Sequence, residues 1–338
     1  MAQALAPAAA PEEGYAREGV AAIVAVDVGG TTIKAAQVTP EGGLLTRRTV
    51  PTPHDGTPVA DAVAGIVAEL RTPSTESVGV GMPGLVDSRA GVVRFSANLN
   101  LRDAPIGAQL SERLGVPVAI EHDVRAACAA ELRLGAGRRV EDLLCVVLGT
   151  GVAARSIIRG RLLDGSTGTA GELGHVCIDP GGEPCACGAR GCVEVYASAA
   201  GVLRRFRTAG GDPSLDTPGV VAVLGRDPLA DRVWADAVDA LAAGIAAATL
   251  LTDPALVVLA GGLSGARDAL AGPLARALQE RLPWRQAPAL EISALGADAG
   301  LLGSALAAAD AAGWQERTRR WAPPGAQHPQ DARLEDAP

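Results

Sequence analysis

From about Val20 the chain alternates short apolar runs that end in glycine with longer segments whose apolar positions recur every three or four residues. VAAIVAVDVGG is a β-branched and alanine run entering an Asp-Gly-Gly turn, which predicts a buried strand. TIKAAQVT and LLTRRTVPT predict two further strands, separated by the turn signal PEGG. Residues 58–70 carry helical spacing, and SVGVGMPG predicts a strand stopped by a Gly/Pro turn. A helix over 106–114, the strand VPVAIEHD and an alanine-rich helix over 124–134 follow. DLLCVVLGTG is again a strand running into glycine, and SIIRGRLLDG reads as a hairpin. Past a cysteine-rich stretch come helices, the longest over 229–251, then the strand ALVVLAGGLSG and helices over 270–282 and 301–312.

Strands that alternate with helices predict layered α/β architecture. The recurrence within it is more informative: apolar strands deliver glycines at DVGG, LGTG and LAGG. Buried strands with glycines at their carboxyl ends are how such sheets build phosphate sites. In DVGGTT, Asp27 closes the strand, Gly29 and Gly30 let backbone approach an anion, and Thr31 and Thr32 add hydroxyls. Gly149, Thr150 and Gly151 repeat the arrangement, and Gly261 and Gly262 follow a third strand. One such turn is usually only a turn; three spread over both halves predict a nucleotide held between them.

Composition narrows the picture. The chain has 338 residues, long enough for two domains, and is 48% hydrophobic but only 2% aromatic. Its core must therefore be built from Ala, Val, Leu and Ile. The net charge of −8 argues against a nucleic-acid surface, which needs a basic footprint. No run reads as a membrane span, and the first residues lack the charged start and apolar segment of a secretory signal. Residues 1–19 and 315–338 read as disordered Ala/Pro-rich tails. These features predict a cytoplasmic protein without cystines. Arginine replaces lysine everywhere except at Lys34, just after DVGG, where a compact ammonium is the specific reading and chance the bland one.

The densest chemistry is GELGHVCIDPGGEPCACGARGC, residues 171–192. Cys185, Cys187 and Cys192, with His175 ten positions ahead, are the donors Zn²⁺ prefers, and four of them complete a tetrahedron without an open position. The spacing predicts a structural zinc. Cys128 and Cys145 read as core thiols, and Cys177 as a core thiol ahead of a spare one near the cage. If GELGH forms a helical turn, Glu172 and His175 share a face, and the metal would hold the imidazole with one nitrogen free for a ligand hydroxyl. Glu194, just past the last cysteine, reads equally as a carboxylate favoured at a helix start. Asp123 ends a strand and opens a helix, so it is a catalytic candidate or simply an N-cap.

In order, DVGGTTIKAA, GMPGLVD, EHDVRAACAAE, LGTGVAARSII, GELGH with CACGARGC, and LAGG resemble the ROK family of bacterial sugar kinases and sugar-responsive repressors. The resemblance covers 20–312. It implies an actin-like, ribonuclease-H-like ATPase fold: an amino-terminal lobe over 20–122 joined by a returning helix near 300–313, and a carboxyl-terminal lobe over 123–299. It implies Asp123 as general base in phosphate transfer from ATP, with Mg²⁺ oriented by Asp27, to the 6-hydroxyl of a hexose. Gly84, Asn98, His122, Glu172, His175 and Glu194 would contact the sugar. Glucose is the first candidate, ahead of N-acetylmannosamine, N-acetylglucosamine and fructose, and a homodimer is the family expectation. The rival from another class is a sugar-sensing regulator without catalysis; the winged-helix domain of such regulators has no room before the first strand. The chain departs from the family at His122, where Asn is usual, at Arg125, at Ala153 and Arg155 after GTG, and in lacking the tryptophan of NLxW.

Overall fold

The computed structural model describes residues 20–54 and 56–322. Both terminal tails fall largely outside them. Residues 315–321, expected within the carboxyl-terminal tail, carry a short helix and a buried Trp321.

The first half begins with β1 (Ala22–Val28), β2 (Thr32–Val38), β3 (Leu44–Pro51), α1 (Val59–Leu70) and β4 (Thr75–Met82). Three short strands follow, β5 (Leu85–Asp87), β6 (Val92–Ser96) and β7 (Leu101–Ala104), which form their own small sheet. Then come α2 (Ile106–Leu114), β8 (Val118–His122) and α3 (Asp123–Leu134). The second half runs β9 (Leu143–Leu148), β10 (Val152–Ile158), β11 (Arg161–Leu162), α4 (Val193–Ala197), α5 (Ala199–Thr208), α6 (Thr217–Ala222), α7 (Pro228–Thr252), β12 (Leu256–Ala260), α8 (Asp268–Arg281) and β13 (Ala289–Ile292). Two last helices are α9 (Ala299–Ala311) and α10 (Gln315–Thr318).

The halves are built on one plan. The first large sheet has order β3-β2-β1-β4-β8 and the second β11-β10-β9-β12-β13. In each, two antiparallel pairings are followed by two parallel ones. This duplication explains the recurrent glycines. DVGG and LGTG are the same hairpin in the two sheets, and GMPG and LAGG both follow the strand next to the central one. The β10–β11 hairpin turns through Arg159 and Gly160, both at positive φ, the geometry of a two-residue turn.

Period-two burial splits each strand between two cores. Val24, Val26 and Val28 pack under α1 and α2, while Ile23 and Ala25 face α9 and α3. In β9, Leu144, Val146 and Leu148 join α7 and α8, and Leu143 and Cys145 meet Cys128 of α3. Alanine-rich α3 is thus wedged between lobes, Ala127 and Ala130 against α9 and Cys128 against the second sheet. Each fully buried Val or Leu contributes about 1.5–3 kcal/mol, so small side chains serve here for close approach rather than for area.

That approach depends on two glycines. A Cβ on Gly303 of α9 would lie 1.9 Å from the Ala126 carbonyl oxygen, and one on Gly79 of β4 would lie 2.0 Å from that of Ser304. Gly303→Ala should therefore destabilise the fold by about 1–3 kcal/mol despite the gain in helix propensity. Urea unfolding measures this; a stability at or above wild type would contradict the packing.

Helix α7 has the length and hydropathy of a membrane span, but 61% of its most apolar window is buried in the protein, and its residues form much of the second lobe's core. Asp227 caps it, accepting from the amides of Leu229 and Ala230 ahead of Pro228 at the first turn. Cys128 and Cys145 are buried as expected, whereas Cys177 is exposed and pairs by backbone with Cys192.

Candidate active site

Open α/β sheets bind ligands beyond the carboxyl ends of their parallel strands, and the candidate residues lie at such ends here. Strand β8 ends at His122, and Asp123 opens α3, its Oδ1 accepting from its neighbour Val124 N at 2.7 Å and lying 3.3 Å from His122 Nε2. Among the described residues no donor reaches Oδ2. Burial at the helix start pushes the carboxyl up to about 7, opposed by the Val124 amide and reinforced by the negative charges of Asp27 and Glu172. The side chain still exposes 31% of its surface to the cleft. A half-protonated carboxyl near neutral pH is what a general base requires.

Around it stands a network that the sequence did not disclose. Arg155 of β10, only 2% exposed, donates to the carbonyls of Ala154 at 3.2 Å and of Ala170, and its Nη2 lies 3.3 Å from His122 Nδ1. Arg125 bonds Glu121 and, at 2.8 Å, Asp164. Ser88 donates to the other Glu121 oxygen at 2.6 Å. His122 therefore has Nδ1 facing two donors and Nε2 beside Asp123. Burial, then the charges of Arg155 and Arg125, push its pKa down to about 4. The sequence signal for this network was the pair of departures at positions 125 and 155; their common partner was not visible. The same side chains wall a cavity of about 410 Å³ with the β5–β6 hairpin and the 164–168 loop.

The cysteine segment folds back beside this cleft. Leu173–His175 forms one tight helical turn led by Glu172, whose carboxylate lies 3.9 Å from Arg155. Ligand atoms of His175, Cys185, Cys187 and Cys192 all lie within 4.8 Å of one another. His175 Nδ1 is 3.8 Å from Cys185 Sγ, and Cys187 Sγ is 3.7 Å from Cys192 Sγ. A tetrahedron of Zn–S bonds has an edge of about 3.8 Å, so the donor set fits zinc in identity and in spacing. Burial and the adjacent sulfurs push the Cys192 thiol up to about 12, a cost that a cation removes. Gly191, at positive φ, lets the chain pass the Asp179 carbonyl where a Cβ would sit 1.6 Å from it. Glu194, at the start of α4, turns Oε2 onto the amide of Val152 at 2.9 Å, directly behind Gly151 of LGTG.

The first glycine loop starts just past Asp27, whose charge acts on Asp123. Gly29 N donates to Thr32 O at 2.9 Å, closing the DVGGTT hairpin around Gly30 and Thr31. Asp27 sits directly across the β1–β2 ladder from Lys34, and burial raises its pKa. Its carboxylate accepts no hydrogen bond from the described residues, and Gly300 leaves room for it, since a Cβ there would lie 2.8 Å from Oδ2. A buried, donor-free carboxylate fits an Mg²⁺-organising role. Lys34 Nζ reaches Ala297 O at 3.4 Å. Gly149 and Gly151 close the matching hairpin, with Thr150 at its tip, and Gly261 needs its positive φ to clear the Leu148 carbonyl. Nothing lies within 4 Å of the Cβ position at Gly30, Gly149 or Gly262. Asn98 is exposed between β6 and β7. Gly84 is at positive φ where a Cβ would meet Phe95 O at 2.3 Å, so the small sheet itself demands glycine there.

Two sheets of one topology, each with a glycine hairpin after its central strand, and a carboxylate at a strand end define an actin-like ATPase fold. The chain belongs to the ROK family, whose model matches residues 23–311. Glucokinase of Streptomyces coelicolor is 32% identical over 305 residues, covering 83% of this chain and 96% of that protein. N-acetylmannosamine kinase of Citrobacter koseri is 34% identical over 293 residues, covering 84% and 98%. Among solved structures, the ROK glucokinase of Streptomyces griseus in complex with glucose and AMPPNP superposes with a TM-score of 0.77 at 31% identity, covering 86% of this chain and 99% of that one.

Proposed function

We propose that this chain is an ATP-dependent hexose kinase that phosphorylates the 6-hydroxyl, with glucose as its first substrate. The observation that carries the reading is Asp123, a cleft carboxyl held near neutrality with one oxygen free, in a chain whose relatives are sugar kinases. Oδ2 takes the proton of the sugar hydroxyl as that oxygen bonds the γ-phosphorus of ATP. The bond from that phosphorus to the β,γ-bridging oxygen breaks, and ADP leaves. Gly84, Asn98, Glu172, His175 and Glu194 are the proposed sugar contacts, with His122 beside them and supporting the base. The loops at Gly29–Lys34, Gly149–Gly151 and Gly261–Gly262 hold the nucleotide, and Asp27 orients the water shell of Mg²⁺. Mg²⁺ bound with ATP would neutralise phosphate charge.

His175, Cys185, Cys187 and Cys192 would hold a structural Zn²⁺, which supplies rigidity rather than chemistry. Nδ1 of His175 faces the sulfurs, leaving Nε2 for the sugar. Thiolate ligation of this kind supports a reducing, cytoplasmic setting. Homodimerisation is part of the same proposal, supported by exposed Leu250, Leu251 and Trp284 near the end of α7 and past α8.

Phosphorylation of N-acetylmannosamine is the second reading, favoured by the relative of that name. ADP release, coupled to an indicator enzyme, should appear with glucose and ATP and fall at least about tenfold with N-acetylmannosamine, consistent with a site that discriminates by buried polar groups. A reversed ranking transfers the assignment, and sugar binding without turnover for every sugar and for both ATP and polyphosphate would establish a non-catalytic binder.

A further inference from the structure

We infer that His122 and Arg155 form a positioning relay behind the base: Arg155 donates to His122 Nδ1, which commits the imidazole to the tautomer whose Nε2–H grips Asp123 Oδ1 and leaves Oδ2 to the substrate. The inference rests on the reading of Asp123 as base, and it deepens that reading with residues in which this chain departs from the family.

The chemistry runs one way. A guanidinium only donates, so the nitrogen it faces must be an acceptor. Arg155 Nη2 lies 3.3 Å from Nδ1, and the Arg125 amide lies 3.4 Å from the same atom. A neutral ring with two donors on Nδ1 carries its proton on Nε2, and that nitrogen lies 3.3 Å from Asp123 Oδ1. Burial and the two guanidinium groups keep the ring neutral, so it acts as an oriented dipole and not as a second acid.

Arg155 is itself over-determined, with the carbonyls of Ala154 and Ala170 on Nη1, Gly168 O at 3.5 Å from Nη2, and Glu172 beside it. It thus couples the loop that carries Glu172 to the orientation of the base. The other charges in the neighbourhood are Asp27, which with Glu172 raises Asp123, and the Glu121–Arg125–Asp164 chain flanking His122. Within this set Arg155 is the cation that favours ionised Asp123. Removing either relay member therefore makes the carboxylate harder to form.

Two measurements test the relay. The chain has four histidines, so nitrogen NMR of the unliganded, zinc-loaded protein can resolve His122. It should show an unprotonated Nδ1 and a protonated Nε2 down to about pH 5, and Arg155→Met should raise its titration. In pH profiles of kcat/KM, His122→Ala and Arg155→Met should shift the acid limb upward, so that the loss is at least about fivefold greater at about pH 6 than at about pH 8.5. His122→Asn, which keeps an N–H donor, should restore the limb, with zinc content equal to wild type in every variant. A protonated Nδ1, a ring titrating near its ordinary value, or a loss uniform across pH would overturn the relay; the last result would make Arg155 a prop for its loop. If no sugar is phosphorylated by the parent protein, the kinase reading fails, while the NMR tautomer still decides the arrangement.

Discussion

Asp123→Asn should lower kcat for sugar phosphorylation by about 10²–10⁴-fold while sugar binding and zinc content persist. Asparagine keeps the shape of the side chain and can still meet His122 or Val124, but it cannot take the proton from the attacking hydroxyl. The parent enzyme should show kcat/KM rising with pH through about 7, because only the ionised carboxyl is a base and the folded protein holds that group at about 7. The variant should lack this limb. Stability should move the other way. A carboxyl raised from 3.8 to about 7 favours the folded state fully only below its unfolded value, and that contribution is lost as pH rises towards 7. At about pH 8 the neutral amide should therefore melt at or above the parent's temperature. Turnover within threefold of wild type would remove Asp123 from its role.

The second large effect is expected at the cysteines. Cys187→Ser should reduce bound zinc from about one ion per chain to a trace, lower the melting temperature and weaken hexose binding by about tenfold or more. The segment from 175 to 192 has a small apolar cluster, Cys185 and Cys192 against Val195 and Tyr196 of α4, so the ion would be its main cross-link. His175 and Glu172 lie at one end of that segment and Glu194 just beyond the other, so loosening it should misplace all of them. Cys177→Ser is the control, since that thiol is exposed and outside the cluster. Isothermal titration with glucose and metal analysis of the same preparations check both halves; a zinc-free Cys187→Ser protein with unaltered glucose affinity would break the link.

Elements with strong periodicity were legible from residues alone. The helix read over 229–251 is α7, Pro228–Thr252, and the strand in DLLCVVLGTG is β9. The cluster of His175, Cys185, Cys187 and Cys192 was legible for a different reason, since close spacing in the sequence brings them together. The β5–β7 sheet was missed. Its strands are three to five residues long, too short to show a period, and Arg94, Arg102 and Asp103 interrupt the apolar positions that pack on the first core. Trp321 was missed because it sits among prolines and alanines; its burial follows from Gly42, distant in sequence, where a Cβ would lie 2.6 Å from the indole. The partnership of His122 with Arg155 is of the same kind. It spans 33 positions and exists only because β8, α3 and β10 meet at the cleft.

The first lobe is closed by α9, which lies on β1 and β4 through glycine contacts yet comes after the whole second lobe in the chain. On the ribosome, one face of the first sheet, with Ile23, Ala25, Ala36 and Val38, must wait bare until α9 clears the exit tunnel. Synthesis therefore imposes an order in which the second lobe can mature before the first is sealed, and the nascent amino-terminal half is the stretch that a chaperone would need to shield.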